Sequence, residues 1–252
     1  AKILDTAEGW PMAVKRLDRL LSELGVATRS ELRQIIKSGR VTVDGTAAAQ
    51  LDMKIEEQGR SICVDGVELC TNRLRYFMMD KPEGVLSATE DKRQDTVLDI
   101  LPPDIRRIGL FPVGRLDKDT SGLLLLTNDG DFAHRVISPK SGIEKLYYAE
   151  VDGTPDETDV KAFEDGIVLG DGTKCLPAKL VPLGGNRCHV IVMEGKYHQV
   201  KRMLASRGKP VEKLRRLAVG ALELDPALAP GGVKELGSED IAKVLGSFIL
   251  DN

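Results

Sequence analysis

The stretch Gly114-Arg115-Leu116-Asp117-Lys118-Asp119-Thr120-Ser121-Gly122-Leu123-Leu124-Leu125-Leu126-Thr127-Asn128-Asp129-Gly130 decides how the rest of the chain is read. Leu123 to Leu126 is a continuous apolar run that stops at Asn-Asp-Gly. It is too short for a helix standing alone, so it predicts a buried strand. Ahead of it, Arg115, Asp117, Asp119, Thr120 and Ser121 lie between Gly114 and Gly122. Polar side chains held between two glycines at the mouth of a buried strand suit a site built at a sheet's edge. A plain turn, in which Asp and Thr satisfy backbone donors, would read the same from these residues alone.

A chain of 252 residues can bury more than one core, and two unequal domains fit that length. Cys63, Cys70, Cys175 and Cys188 form no Cys-x-x-Cys pair, and with three scattered histidines there is no metal-ligand spacing. No metal is expected, and the cysteines read as small core residues in a reducing cytoplasm. No apolar run approaches the roughly 18 residues that span a bilayer, and the N-terminus lacks a signal layout. A cytoplasmic protein with no membrane partner is the expectation.

The formal net charge is -3, yet the charge is unevenly spread. From Val14 to Arg40, seven bases (Lys15, Arg16, Arg19, Arg29, Arg33, Lys37 and Arg40) face Asp18, Glu23 and Glu31. From Glu194 to Arg216 a second basic excess includes Lys196, Lys201, Arg202, Arg207, Lys209, Lys213, Arg215 and Arg216. Two basic patches on an acidic background suit a polyanion bound locally, although a charge run is more often a solvated face.

Residues 1–13 show no periodicity and read as an extension, with Met12 a candidate start. From Val14, Leu17, Leu20, Leu21 and Leu24 fall at helical spacing up to Gly25. A second helix follows, capped by Thr28 or Ser30, with Leu32, Ile35 and Ile36 inward and Gly39 at its end. Val41-Thr42-Val43-Asp44-Gly45 then alternates into a hairpin turn. This helix, helix, hairpin unit over residues 14–70 resembles the S4 RNA-binding domain. The resemblance implies that Arg16, Arg29, Arg33, Lys37 and Arg40 neutralise phosphates of a structured RNA.

Cys70 to Arg75 reads as a linker to a larger domain over 71–252. There, Lys81-Pro82-Glu83-Gly84 makes a sharp turn, Leu101-Pro102-Pro103 a loop, and Asp131 to Ile137 a helix capped by Asn128 or Asp129. Glu144 to Val151 alternates as a strand, with Lys145 and Tyr147 on one face. Thr154-Pro155-Asp156-Glu157 reads as a capping box opening a helix that ends at Gly166. Ala178 to Leu183 and Arg187 to Met193 form a hairpin, Tyr197 to Ser206 a helix, and Ser238 to Leu250 a last helix.

GRLDKDTSGLLLLTND, the Lys-Pro-x-Gly turn, Lys145-x-Tyr147 and Tyr197-His198-Gln199-Val200-Lys201-Arg202-Met203 occur in the order of the RNA pseudouridine synthases, and the chain resembles that family over nearly its whole length. The Lys-Pro-x-Gly element is mainly structural there. The resemblance implies an α+β fold, a small α/β S4-like module followed by a larger domain with a mainly antiparallel central sheet flanked by helices. It implies Asp117 as catalytic carboxylate, Tyr147 and Lys201 beside it, and Arg115 in base flipping. Arg202 is the alternative cation to Lys201, and Lys196, His198 and Arg202 join the RNA-binding set.

The implied reaction breaks the N1 to C1′ bond of uridine and rejoins the base through C5, which needs neither metal nor cofactor. Asp117 either attacks the sugar or takes a proton from it. The wording YHQVKRM looks closest to the enzyme acting on 16S ribosomal RNA, with uridine 516 as the target, in free RNA or an assembling pre-30S particle. A monomer is expected. Two other functions compete: an RNA-binding assembly factor without catalysis, and a carboxylate-dependent nucleoside or glycoside hydrolase with Asp119 as second acid.

Overall fold

The structure, a computed structural model, describes residues 14–23, 26–56, 61–69, 74–106 and 108–246. The predicted extension at 1–13, Leu24 and Gly25, Cys70, and the last helix beyond 246 lie outside the described residues. The chain divides into two compact units, Ala1–Arg73 and Leu74–Asn252.

The first unit runs β1 (Val14–Arg16), α1 (Leu17–Glu23), α2 (Arg29–Lys37), β2 (Val41–Val43), β3 (Thr46–Ala47), β4 (Lys54–Glu56), β5 (Ile62–Val64) and β6 (Val67–Leu69). Leu17, Leu20 and Leu21 of α1 and Leu32 and Ile36 of α2 close one core over Val41, Val43, Ile55 and Ile62. Thr28 opens α2, its N–H and hydroxyl donating to Glu31 at 2.8 and 2.7 Å. Asp44 and Gly45 both take positive φ, 51° and 79°, the backbone a two-residue hairpin loop requires between β2 and β3. The short β1, paired antiparallel with β4, is an addition to the predicted helix start, since three residues carry no readable alternation.

The second unit contains β7 (Tyr76–Lys81), α3 (Pro103–Arg106), β8 (Phe111–Pro112), β9 (Thr120–Thr127), α4 (Gly130–Ile137), β10 (Lys145–Val151) and α5 (Glu157–Asp165). There follow β11 (Lys179–Pro182), β12 (Arg187–Val192), α6 (Gln199–Ser206), β13 (Val211–Val219), β14 (Leu222–Glu223), β15 (Val233–Glu235) and α7 (Ser238–Val244). Its sheet has the order β11-β12-β10-β13-β9-β7-β15, with β14 on β13 and β8 on β9. The pairings are antiparallel except β9 with β13, so the architecture is the α+β one with a mainly antiparallel sheet.

Every residue of β9 is buried, because the strand has a core on each face. Leu123 and Leu125 pack with Met78, Phe132 and Val136, while Leu124 and Leu126 pack with Phe77, Met79 and Leu116. Alternation between two cores is what makes the sequence read as an unbroken apolar run. At Gly122, φ is +102° and a Cβ would fall 2.2 Å from the carbonyl oxygen of Arg216. That glycine lets β9 and β13 approach where they pair in parallel.

Four sequence expectations are corrected. Asp156, not Thr154, caps α5, its carboxylate accepting from Thr158 and Asp159 N–H, because Thr154 and Pro155 stay outside the helix. Helix α6 starts at Gln199 rather than Tyr197, since His198 takes a left-handed φ of 48°. The loop expected at Leu101-Pro102-Pro103 leads at Pro103 into the short helix α3. The run read as the end of a basic patch leads into β13, where Arg216 is buried and Arg215 pairs with buried Asp80, and just ahead of that strand Arg207 and Lys209 pair with buried Asp159. Of the alternatives left open, Asp129 caps α4.

Candidate active site

Asp117 sits in the loop ahead of β9, and Lys81 fixes that loop from below. Lys81, at the end of β7, has no exposed surface. Its ammonium donates to the carbonyls of Pro82 (3.0 Å), Asp117 (3.1 Å) and Thr120 (2.9 Å). Burial pushes its pKa down to about 8, so it is still a cation at neutral pH, held by backbone oxygens. The sequence reading assigned the Lys-Pro-x-Gly element a structural role without identifying this clamp, which joins residues 36 apart.

The second wall is the turn between β12 and α6. Buried Glu194 accepts from Leu176 N–H (2.9 Å) and Gln199 Nε2 (2.8 Å) and pairs with Lys196, while Gln199 Oε1 accepts from Lys196 N–H (2.9 Å). This network holds the turn on which His198 adopts its left-handed backbone. His198 Nε2 then lies 3.4 Å from Asp117 Oδ1, and its ring stacks on exposed Tyr197 at 3.8 Å.

From the first turn of α6, Lys201 Nζ reaches Asp117 Oδ2 at 3.1 Å and Asp119 Oδ1 at 2.5 Å. Burial opposes the Lys201 charge, but hydrogen bonds to Asp119 and Asp117 outweigh it, and its pKa is raised. The same hydrogen bond from Lys201 lowers the pKa of Asp119. Asp119 is therefore an ionised carboxylate at neutral pH and a poor proton donor, which removes the second acid that a hydrolase of the competing kind would use.

Asp117, Lys201, Tyr147, Arg115 and His198 line one hollow of about 70 Å3. Arg115 is exposed at its rim. Tyr147, half-buried on β10, accepts a hydrogen bond on its hydroxyl from Arg216 at 3.4 Å. Lys196 lines the hollow but is tied to Glu194, and Arg202 points away to Asp171 at 2.6 Å. In the first unit, Arg33 and Lys37 are exposed one turn apart on α2. Arg16 is paired with Asp18 at 2.8 Å and Arg40 with Asp65, which reduces their free charge, and the Arg29 side chain lies outside the described set.

The model for RNA pseudouridylate synthase matches residues 75–206, and the S4 domain matches residues 15–59. The chain belongs to the RNA pseudouridylate synthase family. It is 42% identical over 230 residues, 90% of the chain and 96% of the relative, to an uncharacterized RNA pseudouridine synthase, YtzG, of Bacillus subtilis. It is 40% identical over 233 residues, 91% of the chain and 99% of the relative, to ribosomal small subunit pseudouridine synthase A of Vibrio cholerae. Ribosomal large subunit pseudouridine synthase B of Bacillus subtilis is 37% identical over 237 residues, 92% of the chain and 96% of the relative. A crystal structure of a pseudouridylate synthase superposes with a TM-score of 0.65 at 33% identity, covering 91% of this chain and 99% of that one. The protein is thus a pseudouridine synthase that isomerises uridine to pseudouridine in RNA, and its first unit carries the S4 domain.

No described helix is long and apolar enough to cross a membrane.

Proposed function

We propose that Asp117 is the catalytic carboxylate of this synthase and that Lys201 is its ion-pair partner. The observation that carries the reading is the 3.1 Å contact between Lys201 Nζ and Asp117 in a hollow also lined by Tyr147 and Arg115. The target uridine is stacked in folded RNA and has to be flipped out, at a cost of a few kcal/mol. Arg115, exposed at the rim, fills the vacated place, and Tyr147 stacks on the flipped base and helps move the C5 proton. Asp117 opens the glycosidic bond at C1′ by attack on the sugar or by proton removal from it, and both routes need the ionised form.

The proposed substrate is 16S ribosomal RNA, at uridine 516, acted on in the cytoplasm by a monomer. The relative from Vibrio cholerae and the YHQVKRM wording support this, whereas the relative named for the large subunit supports a second reading in 23S RNA. In that scheme Arg33 and Lys37 contact phosphates together with Arg16, Arg29 and Arg40, while Lys196, His198 and Arg202 serve RNA near the hollow. Mapping pseudouridine across ribosomal RNA from cells lacking the protein tests the assignment. Loss of one modification at uridine 516 is expected, and its persistence there with loss in 23S RNA selects the second reading.

A further inference from the structure

Beside the Asp117 hollow lies a larger cavity of about 540 Å3, and the two share Arg115, Tyr147, Glu194 and Gly195. Its walls include Phe111, Val113, Leu125, Val136 and Val219, yet two cations are set among them. Lys145 is 7% exposed and Arg216 is 5% exposed. The acceptors that hold them are neutral: Lys145 donates to the Ile143 carbonyl at 2.9 Å, and Arg216 to the Leu123 carbonyl at 2.7 Å and the Tyr147 hydroxyl at 3.4 Å. Glu194, in the same wall, is already occupied by Lys196, Gln199 and the Leu176 N–H.

Two neighbouring cations in an apolar wall destabilise the empty protein, and such groups are retained where a ligand supplies the missing negative charge. Burial, helped by the Arg216 charge, lowers the Lys145 pKa to about 8, so at neutral pH the charge is still present. Arg216 also holds a β9 carbonyl and so has a structural reason to be there. Lys145 does not, since its only hydrogen-bond acceptor among the described residues is a carbonyl two residues away in sequence.

We propose that Lys145 and Arg216 receive the carbonyl oxygens of the uracil base and stabilise the charge it carries while detached from C1′. This rests on the reading of Asp117 as the reacting carboxylate. When the N1–C1′ bond breaks, its electron pair leaves with the base and spreads over N1, O2 and O4. The base then bonds to C1′ through C5, the C5 proton is lost, and N1 gains a proton, so the reaction closes without an external reactant. Tyr147 stands in both spaces, with its hydroxyl on Arg216, and so places the base between Asp117 and the two cations. Both cations only donate, which also selects uracil over cytosine, whose exocyclic amino group would be turned toward them.

The test is single-turnover pseudouridine formation by the full-length protein on a ribosomal RNA fragment that the wild type modifies. Lys145→Met is expected to slow the reaction roughly 100-fold, as loss of one preorganised donor does. RNA affinity should be unchanged, and the melting temperature of the free protein unchanged or higher. A target carrying 2-thiouridine or 4-thiouridine should slow the wild type for at least one of the two, and that penalty should vanish in Lys145→Met. A rate within about threefold of wild type overturns the proposal. So does a slow variant with a lowered melting temperature and an undiminished thio penalty. Asp117→Asn run alongside separates the two ideas: an active Asp117→Asn removes the reading of the site itself, whereas an inactive Asp117→Asn beside a fully active Lys145→Met removes only this inference.

Discussion

Lys201 Nζ stands 3.1 Å from Asp117 and 2.5 Å from Asp119, so one ammonium serves two carboxylates of the same loop. Without it, Asp117 loses the ion-pair partner that it shares with Asp119. Lys201→Met should therefore cost about 100-fold in kcat, while Lys201→Arg keeps most of the activity because the charge survives. The comparison is made on variants shown by circular dichroism to be folded. Equal activity of Lys201→Met and wild type would remove the ion pair from the mechanism.

Asp117→Asn preserves shape and removes the charge. Pseudouridine formation should fall by at least about 1000-fold, several kcal/mol of barrier, with RNA binding retained. Activity within tenfold of wild type would sink the assignment of this carboxylate.

The parts of this arrangement that were legible in the sequence are those carried by local pattern. Leu123 to Leu126 announced a buried strand, Asp44-Gly45 a tight turn, and Thr28 or Ser30 a helix start, because each signal lies within a few residues of its cause. Asp117, Tyr147 and Lys201 were named through motif resemblance, and their meeting across three separate elements could not be read from spacing. What was not legible depends on partners far along the chain. Arg216 looked like part of a solvated basic run, and nothing near it in sequence says that Leu123, 93 residues earlier, supplies its acceptor. Lys81 looked like the start of a turn, whereas its role depends on carbonyls at 117 and 120.

Gly122 offers a check on the sheet that carries Asp117. Alanine there places a Cβ 2.2 Å from the Arg216 carbonyl oxygen and 2.7 Å from its nitrogen, and forces a side chain onto a φ of +102°. Both strands would have to separate. Gly122→Ala should lower stability by roughly 3 kcal/mol or more in urea unfolding. A variant as stable as wild type would mean that β9 and β13 do not pair as described.

The first unit should govern affinity rather than chemistry. Deleting residues 1–73 is expected to raise KM and to flatten its salt dependence, each lost phosphate contact reducing the slope by about one unit. The single-turnover rate at saturating RNA should stay within about tenfold. Unchanged affinity and slope in the truncated protein would show that the S4 domain does not hold this substrate.

The two buried lysines make opposite predictions on substitution. Lys81→Met strips donors from the carbonyls of Pro82, Asp117 and Thr120 and should destabilise by several kcal/mol, at about 1–3 kcal/mol for each buried group left unsatisfied. Lys145→Met frees one carbonyl and removes a poorly compensated charge, so its stability should match or exceed wild type. Their pH dependence has the same sign. Each folded pKa is lowered to about 8 from the ordinary lysine value of 10.5. Between those values the unfolded chain binds more protons than the folded one, so stability contributed by each group rises with pH there and is flat below about 8. Each lysine adds a slope of up to about 1.4 kcal/mol per pH unit. In urea unfolding at pH 7, 8 and 9.5, the difference between wild type and Lys145→Met should therefore shift in favour of wild type as pH rises. A difference that stays constant across this range would mean that Lys145 is not a buried cation in the folded protein.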